Sequence, residues 1–289
     1  MKIVIISEIQ WNFLKQRHHF ITEKFDKDDE VIFIERVFSK SPKLSILILK
    51  KIVNHFFRKR KNKEIPKLKQ VKYLRSFMIP SDMIFFRIFN YLLYRIYYKK
   101  FFIDSVIYQF TPMFNFDKND PKFQVLDIIH NWWDMPWNQN QIKKQLQQKI
   151  KNSDLIISDS KSLMSSKQIS DYLLIEPGLS SKWYKFFEQK KPVKNTIKNV
   201  LFFGNLRENS DQDLIINLSL KGVQIDCFGL IDESLSIKTR EHINYKGKKS
   251  QLDLLDFINK YDAVLLPYKY EKFSQFISPA KYFECLALK

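Results

Sequence analysis

Residues 263–289 read AVLLPYKYEKFSQFISPAKYFECLALK. An apolar run ends at Pro267, an aromatic and charged loop follows, and a helix then begins, with Ser278 placed to cap it and Pro279 at its first position. Strand, loop and helix in that order make one unit of a parallel α/β sheet, and the order recurs upstream. NVLFFG (199–204), VQIDCFG (223–229) and INYKG (243–247) are strands, with helices near 211–221 and 250–260. Further back, KIVII (2–6), VIFIE (31–35), SVIYQF (105–110), FQVLDII (123–129), DLIIS (154–158) and YLLIE (172–176) are apolar strands of the kind buried on both faces. Helical stretches lie between them, around 11–25 and over 139–151, where Ile142, Leu146 and Ile150 recur every four residues. The polar segment 190–198, with Pro192, is a linker. The expectation is an α/β chain of two doubly wound, Rossmann-like domains, residues 1–190 and 199–289.

Composition narrows the classes. In 289 residues, 45% are hydrophobic and 15% aromatic, too many for a disordered chain. Two cysteines, Cys227 and Cys285, build neither a disulfide framework nor a zinc site by themselves. The amino terminus lacks the length and cleavage site of a signal peptide, and no run of apolar residues is long enough to span a bilayer, so a cytoplasmic protein is expected. The net charge of +18 is concentrated: residues 43–102 hold sixteen Lys or Arg, thirteen Phe or Tyr, and only Glu64 and Asp82 as acids. Basic and aromatic character together fits an anionic membrane surface or a nucleic acid. LSILILKKIVNHFFRKRKNK (44–63) starts apolar and ends cationic, as an interfacial segment does. In 81–102, Arg87, Tyr91, Tyr94, Arg95, Tyr98 and Lys99 share one helical stripe; a helix covering the sheet is the plainer account of it.

Three stretches hold residues suited to chemistry. In the terminal segment, the N–H groups of the helix start and Lys281 together suit a diphosphate, and Glu284, three residues on, suits ribose hydroxyls; a capped helix with a surface ion pair has the same sequence. In FFGNLRENSD, Gly204 permits close backbone approach and Arg207 can clamp phosphate oxygens. Ser210 is the expected cap of the next helix, whose first turn already holds Asp211 and Asp213, so phosphate contacts are expected from the loop 204–207 rather than from that helix. In VLDIIHNWWDMPW (125–137), Asp127, His130 and Asp134 fall at the carboxyl end of a strand, where open α/β sheets bind ligands, beside Trp132, Trp133 and Trp137. The pKa range of His130 permits proton transfer; in a plainer account the tryptophans close the core and His130 bonds to backbone. His18 and His19 are expected at the surface or a cleft rim.

The Gly204-Asn205-Leu206 turn, the later strand ending Leu266-Pro267-Tyr268, and Ser278-Pro279-x-Lys281-x-x-Glu284-x-x-Ala287 follow one another in an order that resembles the donor half of group 1, family 4-like glycosyltransferases of the GT-B fold. Trp11 with Gln16-Arg17, SDLIISDSKSL (153–163) and LLIEPGLSSKWYKFF (173–187) resemble that family's amino-terminal domain and crossover. The resemblance implies two domains facing a cleft that binds a UDP- or GDP-linked sugar, with Glu284 on the ribose, Lys281 as the basic residue before it and His130 in the region where the family has a histidine. Read with them, Gly204, Asn205, Arg207, Ser278 and Pro279 are the other expected donor contacts and Asp127 the second expected catalytic residue. The resemblance further implies transfer of a hexose, with retention favoured, to a saccharide or lipid-linked acceptor in bacterial surface-polysaccharide synthesis, with no separate cofactor. Metal-independent transfer is expected because no paired-carboxylate motif of the Asp-x-Asp type is singled out. The basic window points to the inner face of the plasma membrane, and the lack of a recognisable binding module argues against nucleic acid. Glu176-Pro177-Gly178 stands where the family has Asn-Gly, and the chain ends inside the Ala287 helix, so the second domain is expected to be incomplete. An inactive fragment that binds membrane, and a basic nucleic-acid-binding protein, are the alternative expectations.

Overall fold

The computed structural model describes residues 1–12, 16–40, 68, 70–137, 139–178, 196–207, 210–249, 251–255, 258–272, 274–276 and 278–286. The chain divides into two compact units, Met1–Glu176 and Pro177–Lys289. The segment 44–63, Pro192, and most of the crossover lie outside the described residues.

The first unit contains β1 (Lys2–Ile6), α1 (Arg17–Thr22), β2 (Glu30–Glu35), β3 (Val71–Arg75) and α2 (Ile84–Leu93). A π-turn at Tyr94–Tyr98 leads into α3 (Lys99–Phe102), followed by β4 (Val106–Gln109), β5 (Phe123–Ile128), α4 (Gln139–Asn152), β6 (Leu155–Ser158), α5 (Lys161–Ser166) and β7 (Leu173–Leu174). The strands pair in the order β3-β2-β1-β4-β5-β6-β7, all parallel. Strand order reverses between β1 and β4, the switch point at which such sheets open a crevice. Ile3 to Ile6 of β1 are fully buried, as the unbroken apolar run requires of a central strand covered on both faces. One side of the core gathers Ile3, Ile5, Trp11, Val31, Phe33 and Phe110.

Strand β3 was not expected. Its sequence VKYLR buries only Val71 and Leu74 and exposes Lys72, and it lies at the sheet edge, where lysine is common because it discourages further pairing. Part of the basic window is therefore an edge strand. The stripe read on 81–102 also turns out differently. Its tyrosines Tyr94 and Tyr98 face inward, Tyr94 donating to Asp120 at 2.5 Å and Tyr98 donating to the Arg75 carbonyl at 2.8 Å. Many of its apolar residues face outward, Ile84 at 68% and Ile96 at 81% exposure, with Phe85, Ile88 and Leu92 between them, while Phe101 and Phe102 are buried.

The second unit contains β8 (Asn199–Leu206), α6 (Gln212–Leu220), β9 (Gln224–Ile231), α7 (Ile237–Glu241), β10 (Asn244–Tyr245), α8 (Gln251–Leu255), β11 (Ala263–Val264) and α9 (Ala280–Leu286). Its strands pair in parallel in the order β10-β9-β8-β11. Alternate residues of β8 fill two cores: Leu201 and Phe203 pack with Leu254 and Leu255, while Val200 and Phe202 pack with Ile215 and Ile225. Helices thus cover both faces, as the sequence required.

Candidate functional site

In the first unit, polar side chains from five elements converge at the carboxyl edge of the sheet. Glu8 follows β1, Arg17 and His18 open α1, Tyr108 lies on β4, Asp127 and His130 end β5, and Asp159 follows β6. Asp127 is wholly buried; its Oδ2 accepts from Arg17 Nε and from the Tyr108 hydroxyl, each at 2.8 Å. Arg17 also donates to the Ile175 carbonyl at 2.8 Å, so the guanidinium ties the start of α1 to the ends of β5 and β7. His130 Nε2 lies 3.1 Å from Glu8 Oε1, and its imidazole is 37% exposed, open to a ligand. His18 Nε2 lies 3.5 Å from the same oxygen.

The electrostatics follow from that packing. Burial opposes ionisation of Glu8, but the charges and hydrogen bonds of His18 and His130 win and hold its carboxyl well below the usual range. Burial pulls the His130 pKa down, and the Glu8 hydrogen bond and charge carry it above its ordinary value. Asp159 is pushed up to about 7, chiefly by burial, with Asp127 adding and Arg17 opposing. A carboxyl near neutrality and a carboxylate-backed imidazole on one sheet edge are the equipment of proton transfer.

The expected residues divide accordingly. Asp127 and His130 come together, but Asp127 is sealed beneath Arg17 and Tyr108 and holds the arginine rather than meeting a ligand. Asp134 is drawn away by Lys167 at 2.9 Å. Trp132 is buried core, and His130 bonds to a carboxylate rather than to backbone. His18 and His19 are buried, not on the surface: His19 accepts from the Gln16 N–H at 3.1 Å, so its other nitrogen donates to the Trp11 carbonyl at 2.9 Å. Glu8, Tyr108 and Asp159 were missed, although each occupies a strand or its carboxyl end, the same signal that singled out Asp127.

In the second unit, Gly204 has φ +126° and Gly229, paired with it across β8 and β9, has φ +130°. A Cβ at Gly204 would stand 2.3 Å from Lys281 Nζ. The ammonium therefore rests on bare backbone at the carboxyl end of β8, 5.1 Å from the Phe202 ring centroid. Burial lowers the Lys281 pKa, with Glu284 opposing. Glu284 is 8% exposed and pushed up to about 7 by burial, against the pull of Lys281. Asn205 Oδ1 is buried without a hydrogen-bond partner, and Arg207 is exposed. The loop after β8 is tied to the loop after β11 by the Asp211 N–H to the Pro267 carbonyl at 2.9 Å and by bridging of Ser210 with Tyr268. Gly204, Asn205, Lys281 and Glu284 thus share one sheet edge.

Two details differ from expectation. Asp211, not Ser210, caps α6, accepting from the Leu214 N–H at 2.9 Å, while the Ser210 hydroxyl turns back to the Arg207 N–H. Helix α9 begins at Ala280, so Ser278 and Pro279 precede its regular turns. Asp-x-Asp spacings do occur, at Asp26–Asp28 and Asp211–Asp213, so the expected absence of that motif is corrected and no longer argues for metal-independent transfer. Among the described residues no three His, Cys, Asp or Glu side chains gather as they would around a metal.

No protein-family description matches the chain, and no curated protein does. Solved structures do. Over 100% of this chain and 78% of the other, it resembles the apo form of the lipopolysaccharide outer core galactosyltransferase WaaB, with a TM-score of 0.53 and 15% identity. The chain has the GT-B fold. A looser likeness, with a TM-score of 0.46 and 8% identity over 92% of this chain and 78% of the other, is to a protein described as trehalose-6-phosphate from E. coli bound with UDP-2-fluoro glucose. In the GT-B fold assigned here, the two sheet edges just described belong to the two Rossmann-like units.

Proposed function

We propose that the chain is a glycosyltransferase that moves a hexose from a nucleoside-diphosphate sugar, UDP- or GDP-linked, to a saccharide or lipid-linked acceptor of bacterial surface-polysaccharide synthesis. The observation that carries the reading is Lys281 seated on Gly204 at the carboxyl edge of the second sheet, with Glu284 buried one turn behind. In this reading Lys281 and Arg207 meet the diphosphate, where negative charge develops as the sugar leaves. The unpartnered Asn205 carbonyl oxygen and Glu284 accept from nucleoside hydroxyls. No metal is required, because the two cations take up that charge, and transfer is retaining, as the resemblance implies. The edge bearing His130 and Asp159 serves the acceptor, with Asp127 and Arg17 as positioning residues.

Peripheral attachment to an anionic membrane surface, at the cytoplasmic face, belongs to the same proposal. It is supported by the outward apolar face of α2, flanked by exposed Arg87 and Arg95. Among the described residues no helix is long and apolar enough to cross a membrane.

Calorimetric titration with UDP, GDP, their sugar conjugates and ADP tests the donor site. The expected result is saturable binding of one nucleotide series, weakened at least tenfold by Glu284→Ala or Lys281→Ala in folded protein. Equal affinity of both variants for every nucleotide bound would overturn the site, and no binding by the wild-type chain would overturn the function.

A further inference from the structure

The first unit also holds a cavity of about 710 Å³ that runs along α4, reaching Gln141, Gln145, Gln148, Lys149 and Asn152. It touches Gln124 near the amino end of β5, the opposite end of the strand from Asp127. The machinery assigned above leaves it unused.

Its walls are unusual in composition. Four cations line it, Arg87, Lys118, Lys144 and Lys149, against two carboxylates, Asp82 and Asp117. Lys149 is 7% exposed, and its ammonium lies 3.5 Å from the centroid of the Phe116 ring. Among the described residues no carboxylate stands within ion-pair distance of it. Gln145 Oε1 is buried and has no hydrogen-bond partner. An ammonium taken from water without a counter-ion is costly, and an aromatic face offsets only part of that. The remaining amides offer donors and acceptors to hydroxyl groups.

We propose that this cavity is a binding site for a phosphate ester of a polyol, with Lys149 as counter-charge to the phosphate and the α4 amides on the hydroxyls. Arg87 belongs both to the cavity wall and to the exposed face of α2, so the same chemistry fits a free glycerol phosphate and the headgroup of an anionic glycerophospholipid. Burial lowers the Lys149 pKa to about 7, so much of the ammonium is neutral in the empty site at pH 7.5. A phosphate beside it restores the charge, and binding takes up a proton. The other groups facing the cavity are Arg87, Lys118, Lys144, Asp82 and Asp117.

Titration calorimetry of the full chain with glycerol 3-phosphate, inorganic phosphate and glycerol tests this, with sedimentation on phosphatidylglycerol and phosphatidylcholine vesicles. Lys149→Met removes the cation and keeps the length, and its melting temperature checks that it folds. Supporting results are saturable binding of glycerol 3-phosphate but not glycerol, with proton uptake at pH 7.5 across buffers, weakened at least tenfold in Lys149→Met. Binding confined to phosphatidylglycerol vesicles, and lost in the same variant, also supports the site and names the lipid as source. Binding that survives Lys149→Met but disappears in Lys281→Ala belongs to the second unit and overturns the proposal. So does the absence of phosphate-ester binding in every arm.

Discussion

Gly204→Ala should separate the proposed nucleotide site from the fold that carries it. The new Cβ would lie 2.3 Å from Lys281 Nζ and 2.6 Å from its Cε. Both atoms belong to the free end of a flexible side chain, so the lysine swings away rather than the strand deforming. Holding alanine at φ +126° adds strain of about 1–3 kcal/mol, a fall in Tm of roughly 2–4 °C for each kcal/mol. The displaced lysine forfeits a charge-assisted hydrogen bond to phosphate worth roughly 1.5–3 kcal/mol, about 10- to 100-fold in Kd. Gly229→Ala is the contrasting variant: its Cβ would meet the Gly204 carbonyl oxygen at 1.9 Å, and backbone cannot swing aside. It should melt far earlier and lose every property of the second unit together. Melting curves and nucleotide calorimetry on Gly204→Ala, Lys281→Ala and the double variant decide the matter, since the double should bind like Lys281→Ala alone. If Gly204→Ala binds nucleotide as the wild type does, Lys281 does not meet the phosphate and the reasoning fails.

The pH dependence of the second unit should follow Glu284. With its folded pKa raised to about 7 from 4.5, its contribution to stability is complete below pH 4.5 and lost as pH rises to about 7, by about 3 kcal/mol; Glu284→Gln should flatten the melting temperature between pH 5 and 8, and an unchanged profile would refute this. Glu8→Gln should drop the His130 pKa below its ordinary value, since burial then outweighs the weaker pull of Asp159 and Asp127; an NMR titration of the imidazole that stays raised would show that those carboxylates suffice. Arg17→Met leaves Asp127 buried without its cation and should cost roughly 3–5 kcal/mol by urea unfolding; a loss under 1 kcal/mol would mean Tyr108 suffices. His130→Ala should lower turnover on the acceptor by a factor of about 100 or more with nucleotide affinity unchanged, and a loss of nucleotide binding instead would remove His130 from the acceptor side.

How much could be read without the structure depended on which physical force wrote each signal. Hydrophobic burial writes continuous runs, so KIVII, FQVLDII and NVLFFG were legible as central strands. Strand β3 was not, because an edge strand need bury only part of its side chains and here carries Lys72 and Arg75. Asp127 and His130 were legible as polar residues closing an apolar strand, whereas Glu8, Tyr108 and Asp159 join them through sheet order, which periodicity does not encode. Tyr94 and Tyr98 show a different effect. A tyrosine ring is a large apolar body with one polar tip, and once Asp120 and the Arg75 carbonyl meet the tips the rings go inside. Isoleucine and phenylalanine are then left on the outer face of α2.

The glycines carry the same lesson into the proposed donor site. All five lie beyond residue 177 and look alike in sequence, as turn residues at strand edges. Register distinguishes them. Gly204 and Gly229 are cross-strand partners in β8 and β9, and an added Cβ at Gly229 would strike the Gly204 carbonyl group, while Gly178, Gly222 and Gly247 meet nothing. One glycine therefore clears space for its neighbour's backbone, and that neighbour clears space for Lys281. The two omissions act in series: only with Gly229 bare can Gly204 keep φ +126°, and only with Gly204 bare can an ammonium from α9 lie against β8. Among the described residues of this unit, a cation held against backbone at the carboxyl end of a parallel strand suits an anion, and the proposed donor site rests on that arrangement.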